Sequence, residues 1–251
     1  MVIGIDRFRA HFEVREHQYV LLGGQACELI MDEVGLDFRA TKDLDIVLVV
    51  EALDSAFAER FWAFVQEGGY EIRERSTGEK ILHRFQKPTA SDVPAMLELF
   101  SRGPEGLKLA AEAHLTPLPI DEAAASLSAI LLDDRYYAFL KSMVRDAGGI
   151  PVLDEAAIIP FKARAWIDLT REREAGGKVD EKNIRKHRND MARLLQVLSP
   201  EARYPLPDTV ATDMRSFVEA ATAETDYDPR QFKVSMTPED VAARLHAAYQ
   251  L

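Results

Sequence analysis

Between Tyr19 and Val50 the apolar and polar positions alternate in blocks that spell strand, turn, helix and strand. Tyr19-Val20-Leu21-Leu22 is a short apolar run that stops at Gly23-Gly24, and the residues from Gln25 to about Gly35 keep helical spacing. Asp43-Leu44-Asp45-Ile46-Val47-Leu48-Val49-Val50 is rich in β-branched residues and leucine, so it reads as a buried strand that opens on two acids. Residues 53–67 carry Phe57, Phe61, Phe64 and Val65 at helical spacing and run into Gly68-Gly69, a common way for a helix to stop. Three strand-like pieces follow, 70–73, 81–85 and 95–100, the first two flanking a turn at Ser76-Thr77-Gly78. Residues 127–132 read as another strand, and Asp133 as the cap of a helix running to Gly148.

Beyond Gly149-Ile150-Pro151 the pattern changes. Asp154, Pro160, Val179-Asp180, Pro207-Asp208 and Thr237-Pro238 each stand where a helix is expected to start, and no strand-like run intervenes. The chain is therefore expected to be α/β (α+β). A mixed sheet with flanking helices occupies 1–149 and a helical domain occupies 150–251.

Asp43 and Asp45 are the residues with the most chemistry in this pattern. Side chains two apart on a strand share a face, with Cα atoms roughly 6.5 Å apart, so both carboxylates can converge on a hard cation such as Mg²⁺ or Mn²⁺ that also binds phosphate oxygens. The plainer alternative is that Asp43 ends the preceding loop while Asp45 faces water or pairs with an arginine. Upstream, Gly23-Gly24 lets backbone approach a ligand closely, and the helix after it offers free N–H groups and a positive dipole end to a phosphate. In Leu97-Glu98-Leu99 an acid is embedded in an apolar strand, where an ionised carboxylate is costly unless paired or metal-bound. Glu98 either meets that need or faces solvent on a two-sided strand.

A hydrophobic residue, Gly-Gly, a helix, and Asp-x-Asp on the next strand together resemble the nucleotidyltransferase superfamily. Within it the chain is most similar to the AbiEii-type group of abortive-infection and toxin–antitoxin operons, where an arginine and a hydroxyl residue precede the acids, as Arg39 and Thr41 do here. Later helices of that group carry a lysine and an aspartate, matched by Lys162 in Phe161-Lys162-Ala163-Arg164-Ala165-Trp166 and by Asp190 in Lys186-His187-Arg188-Asn189-Asp190. The resemblance runs from about Tyr19 to Leu198. It implies a nucleotidyltransferase-like fold with its active site in the cleft between two domains, and transfer of an NMP group from an NTP to an acceptor hydroxyl. Asp43 and Asp45 would bind the metal, Glu98 would be the third carboxylate, and Gly23, Gly24, Arg39, Thr41, Lys162 and Asp190 would serve the nucleotide. The implied acceptor is the 3′ end of a transfer RNA or a protein side chain, with a cognate antitoxin as partner; an aminoglycoside-type small molecule is the enzymatic rival. The chain departs from the group at Gln25, where toxin-like members place a small hydroxyl residue, and after Leu169, where their arginine-rich continuation is not reproduced.

Lys162 lies two residues after Pro160, so it is expected in the first turn of its helix, beside the apolar stripe Ala165, Trp166 and Leu169. A cation at the positive helix end is disfavoured by roughly 0.3–1 kcal/mol, and a triphosphate would reverse that; a lysine snorkelling to water is the alternative. Asp190 stands four residues after Lys186, which an intrahelical ion pair of about 0.2–0.5 kcal/mol explains as well as a role at the nucleotide. Lys178, Lys182, Arg185, Lys186, His187, Arg188 and Arg193 make one basic stretch, either a solvated face or a contact for RNA or phosphate.

Composition narrows the classes. The 251 residues are 47% hydrophobic, enough for one large core or two modest ones, and no apolar run approaches the ~20 residues of a membrane span. The first residues lack a basic region followed by an apolar stretch, so a cytoplasmic protein is expected, with no membrane partner. A net charge of −11 argues against broad, sequence-independent nucleic-acid binding. The single cysteine, Cys27, excludes an internal disulfide, and the six histidines are scattered without the spacing of a zinc pair. A binding or regulatory module that has kept the nucleotide pocket is the non-enzymatic alternative, which the intact Asp-x-Asp pair disfavours.

Overall fold

The computed structural model describes residues 3–74, 80–101, 127, 130–131, 133–221, 223–224 and 226–251, side chains at 50 and 72–83 excepted. They fall into two compact units. One holds the described residues of positions 1–119 together with Val144–Leu153, and the other those of 120–143 together with Asp154–Leu251.

The first unit is built on a seven-stranded mixed sheet in the order β3-β4-β5-β2-β1-β7-β6. Its strands are β1 (Tyr19–Leu22), β2 (Asp43–Leu48), β3 (Glu71–Glu74), β4 (Lys80–Gln86), β5 (Met96–Phe100), β6 (Val144–Asp146) and β7 (Pro151–Leu153). Strand β2 runs antiparallel to β1 and parallel to β5, while β4 pairs antiparallel with β5. Helix α1 (Ile5–His11) and helix α3 (Ser55–Gly68) bring Phe8, Phe12, Phe57, Phe61 and Phe64 around Tyr19, with neighbouring ring centroids 4.5 to 6.5 Å apart. This aromatic cluster supplies much of the apolar area that the unit removes from water. Asp54 caps α3 by accepting from the Phe57 N–H at 2.7 Å, and Gly69 closes it in the left-handed region. Helix α2 (Gly23–Glu33) packs on β1 and β2 through Ala26, Cys27, Ile30 and Met31, all buried.

The second unit is helical: α4 (Asp134–Ser142), α5 (Glu155–Glu174), α6 (Glu181–Leu194), α7 (Asp208–Ala221) and α8 (Pro238–Tyr249). Helix α5 packs against α6 and α7, and α7 touches α4 and α8. Asp133, Asp154 and Asp180 cap α4, α5 and α6, and Thr237 and Asp240 form a capping box on α8.

Several expectations change. Leu127, Ile130 and Leu131 are helical where a strand was expected, and the helix capped by Asp133 stops at Ser142 instead of reaching Gly148. The hairpin of β6 and β7 follows it, and β7 joins the sheet beside β1, so a single cut near residue 149 does not separate the units. The turn expected at Ser76-Thr77-Gly78 lies outside the described residues. Among the described residues no helix is long and apolar enough to cross a membrane.

Candidate functional site

The acids at the start of β2 take their geometry from strand register. Leu22, the last residue of β1, pairs with Asp45, and Asp45 pairs on its other side with Glu98 of β5, which in turn pairs with Arg84 of β4. Directly paired residues of adjacent strands share a face, so Arg84, Glu98 and Asp45 form one row across the sheet. Asp43, two residues before Asp45, belongs to the same face. Leu44 between them is fully buried, whereas both aspartates are half-buried. The expectation that the two aspartates point the same way agrees with this register.

Where β1 ends, the chain turns directly into α2 through Gly23, whose φ of +74° is a left-handed conformation that other residues adopt at a cost. A Cβ built on Gly23 would lie 1.7 Å from Oδ2 of Asp45, so the carboxylate sits against bare backbone. A Cβ on Gly24 would meet Cγ2 of Thr41 at 2.5 Å, and Nη2 of Arg39 would be 3.5 Å from it. The glycine pair is thus required on two counts: Asp45 and Thr41 take up the room that it leaves, with Arg39 beside them. Thr41 Oγ1 donates to Glu28 Oε2 at 3.3 Å, and the Arg39 guanidinium stands 5.4 Å from the Phe38 ring centroid. No side chain caps α2 at Leu22, and its first turn carries no acidic residue. Its leading N–H groups therefore meet this space at a positive helix end, the environment that suits a phosphate.

Glu98 is buried, as the apolar strand around it implies, and the charge is met by an ion pair. Arg84 donates to it through Nε at 2.5 Å, and its Nη2 approaches the same oxygen. Burial pushes the Glu98 carboxyl above its ordinary value, the Arg84 guanidinium pulls it down, the Asp43 charge raises it, and a hydrogen bond with Asp45 lowers it again. Like charges about 5 Å apart at an effective dielectric near 20 repel by roughly 3 kcal/mol, so three ionised acids here need compensating positive charge or a shared proton. Among the described residues no three His, Cys, Asp or Glu side chains form a group that could enclose a metal unaided. The donor set suits a magnesium-like ion, which takes one or two carboxylates and completes its shell with water and substrate phosphate oxygens.

Lys162 and Asp190 belong to the helical unit and meet each other. Helix α5 starts at Glu155 under the Asp154 cap, with Pro160 inside it, so Lys162 lies about two turns in rather than in the first turn. The unfavourable helix-end position expected for its ammonium therefore does not arise. Its Nζ donates to Asp190 Oδ2 at 2.9 Å, with the lysine side chain 7% exposed and the aspartate 0%. Arg193 approaches Asp190 Oδ1 at 3.2 Å from the next turn of α6. In the basic stretch, Arg188 is buried against Glu224, Asp226 and the Tyr227 ring, 4.4 Å from its centroid, whereas Arg185 stays at the surface beside Glu181.

No protein-family model matches the sequence, and no curated protein matches it. One solved structure aligns over 99% of this chain and 96% of its own, at 15% identity and a TM-score of 0.46; it is the crystal structure of an antigenic nucleotidyltransferase-like protein from Paracoccidioides brasiliensis. At that score the likeness decides nothing about the site.

Of the residues expected at the site, Gly23, Gly24, Arg39, Thr41, Asp43, Asp45 and Glu98 come together in the sheet unit, and Lys162 and Asp190 form a pair of their own in the helical unit. Arg84 was not anticipated. It carries no motif, and its place beside Glu98 follows only from the pairing of β4 with β5.

Proposed function

We propose that this chain is a nucleotidyltransferase that moves an NMP group from an NTP to an acceptor hydroxyl with a divalent cation, Mg²⁺ or Mn²⁺. The observation that carries the reading is Asp45 seated against Gly23 at the start of α2, with Asp43 on the same strand face and Glu98 opposite. Two half-buried aspartates on one strand face beside a helix start suit a shared cation and phosphate. Asp43 and Asp45 would hold the metal, which when bound neutralises phosphate charge and polarises the phosphorus that is attacked. Gly23 and Gly24 let Asp45 and Thr41 pack against the backbone where α2 starts, with Arg39 beside them, and the N–H groups of that helix start would meet the phosphates. Glu98 is the third carboxylate, held beside Asp45 on the neighbouring strand. Lys162 and Asp190, which the resemblance assigns to the nucleotide, pair with each other and join α5 to α6 within the helical unit.

Calorimetry with each NTP and Mg²⁺ is the direct test. Binding should require the metal and should vanish in the Asp43→Ala/Asp45→Ala protein; unchanged affinity in that variant would favour a regulatory nucleotide-binding module. The acceptor is assigned to a transfer RNA 3′ end or a protein side chain, with an aminoglycoside-type molecule as rival. Incubation with labelled NTPs and total RNA or lysate identifies which species takes up label. A toxin role with a cognate antitoxin predicts growth arrest when the chain is expressed alone, and normal growth would count against it.

A further inference from the structure

Glu98 stands between Asp45 and Arg84 in the strand register and is ion-paired with that arginine, which comes from the strand beyond it. Arg84 of β4 points its guanidinium at Glu98, which pairs across the strands with Asp45, whose Oδ2 lies where a Cβ on Gly23 would stand. The order Arg84, Glu98, Asp45 follows the strand pairing without a gap. The Arg84 and Glu98 side chains are only 12% and 11% exposed, so water contributes little to orienting either. A guanidinium delivers its N–H groups in a fixed plane, which fixes the carboxylate facing it in a way that a flexible ammonium does not.

We infer that Arg84 is a positioning residue for the metal-binding acids: by clamping Glu98 it holds the Asp45 carboxylate in the orientation that faces Gly23 and an incoming divalent ion. The inference rests on the nucleotidyltransferase reading only for the presence of a cation at Asp43 and Asp45. Glu98 carries Arg84 on Oε1 and stands next to Asp45 in the strand register, so a change in its orientation reaches Asp45 directly. Residues that orient ligands in this way typically change metal affinity by about 10–100-fold when removed.

The test uses Mn²⁺ alone, with the free ion measured by electron paramagnetic resonance in the full chain without nucleotide. Arg84→Gln should weaken Mn²⁺ binding by about tenfold or more while the far-ultraviolet circular dichroism stays that of the parent; wild-type affinity in a folded Arg84→Gln protein would overturn the inference. If that variant does not fold, Arg84→Lys, which keeps the charge and loses the fork, is compared in the Glu98 and the Glu98→Gln backgrounds. It should weaken Mn²⁺ binding in the first and change little in the second, and equal losses in both would show that Arg84 does not act through Glu98. A parent protein that takes up no Mn²⁺ also overturns the inference. A parent that binds Mn²⁺ through Arg84-dependent acids but binds no NTP leaves it standing and removes the nucleotidyltransferase reading instead.

Discussion

Asp45 Oδ2 occupies the place that a side chain on Gly23 would need, 1.7 Å from an ideal Cβ. Two penalties would therefore meet in Gly23→Ala: a left-handed φ costing about 1–2 kcal/mol for a residue with a Cβ, and displacement of a carboxylate from its seat. The variant should melt lower than the parent and lose divalent-ion binding together with NTP binding. Retention of full Mg²⁺-dependent affinity in a folded Gly23→Ala protein would show that the position of Asp45 is not what the ligand requires.

Gly24 is constrained differently, because its φ is not in the left-handed region and the nearest obstacle is the Thr41 methyl, 2.5 Å from where a Cβ would stand, with Thr41 Cβ behind it at 3.1 Å. Removing that methyl should restore room. Gly24→Ala alone is expected to destabilise the protein by about 1–3 kcal/mol, in the range of overpacking, and Gly24→Ala/Thr41→Ser to recover part of it. Urea denaturation of the two single variants and the double variant measures the coupling, and strictly additive effects would contradict the geometry.

Much of the sheet unit was legible from sequence because its elements are bounded by strong punctuation. Tyr19–Leu22 ends at Gly23-Gly24, and α3 starts after Asp54 and ends at Gly68-Gly69, so periodicity and breakers agreed. The strands β6 and β7 are three residues each, too short for any period to show, and α1 is held by the packing of Phe8 and Phe12 against distant rings. Lys162 was misplaced because Pro160 looks like a first-turn proline, whereas Asp154 supplies the cap and the helix tolerates proline in its second turn. Arg84 and Glu98 are 14 residues apart in sequence and meet only through strand register, which periodicity does not encode.

The cap of α3 predicts a pH dependence. The Phe57 N–H, with Arg15 and Gln18 after it, holds the Asp54 carboxyl below its ordinary value against the opposing effect of desolvation. A lowered folded-state pKa means that the unfolded chain takes up the proton first as pH falls. The contribution of Asp54 is therefore fully present above the unfolded carboxylate range and is lost as pH drops through the folded value. Asp54→Asn keeps an acceptor at the cap but removes the titration. Its melting temperature should lie below that of the parent at neutral pH and converge on it as the pH falls through the lowered folded-state value of Asp54. A gap that does not narrow on acidification would mean that the charge of Asp54 contributes nothing.

Lys162 and Asp190 make the strongest stability prediction, because Asp190 is fully buried and its ammonium partner comes from another helix. Lys162→Met would leave that carboxylate with Arg193, whose guanidinium stands 3.2 Å away on the same helix and is itself 15% exposed. Breaking a buried pair from one side typically costs about 3–5 kcal/mol, and the remaining arginine places this case near the lower end. Asp190→Leu strands the ammonium instead, and since a lysine can deprotonate or extend towards water, it should cost less than Lys162→Met. Replacing both residues removes the buried carboxylate and leaves Arg193 without it, a guanidinium that is 15% exposed and stands 4.8 Å from the Phe232 ring centroid. Lys162→Met/Asp190→Leu should therefore be more stable than Lys162→Met alone, by about 1 kcal/mol or more in chemical denaturation. If the double variant is instead the least stable of the three, the pair is a net source of stability. If Lys162→Met costs almost nothing, the buried pair contributes little to the stability of the helical unit.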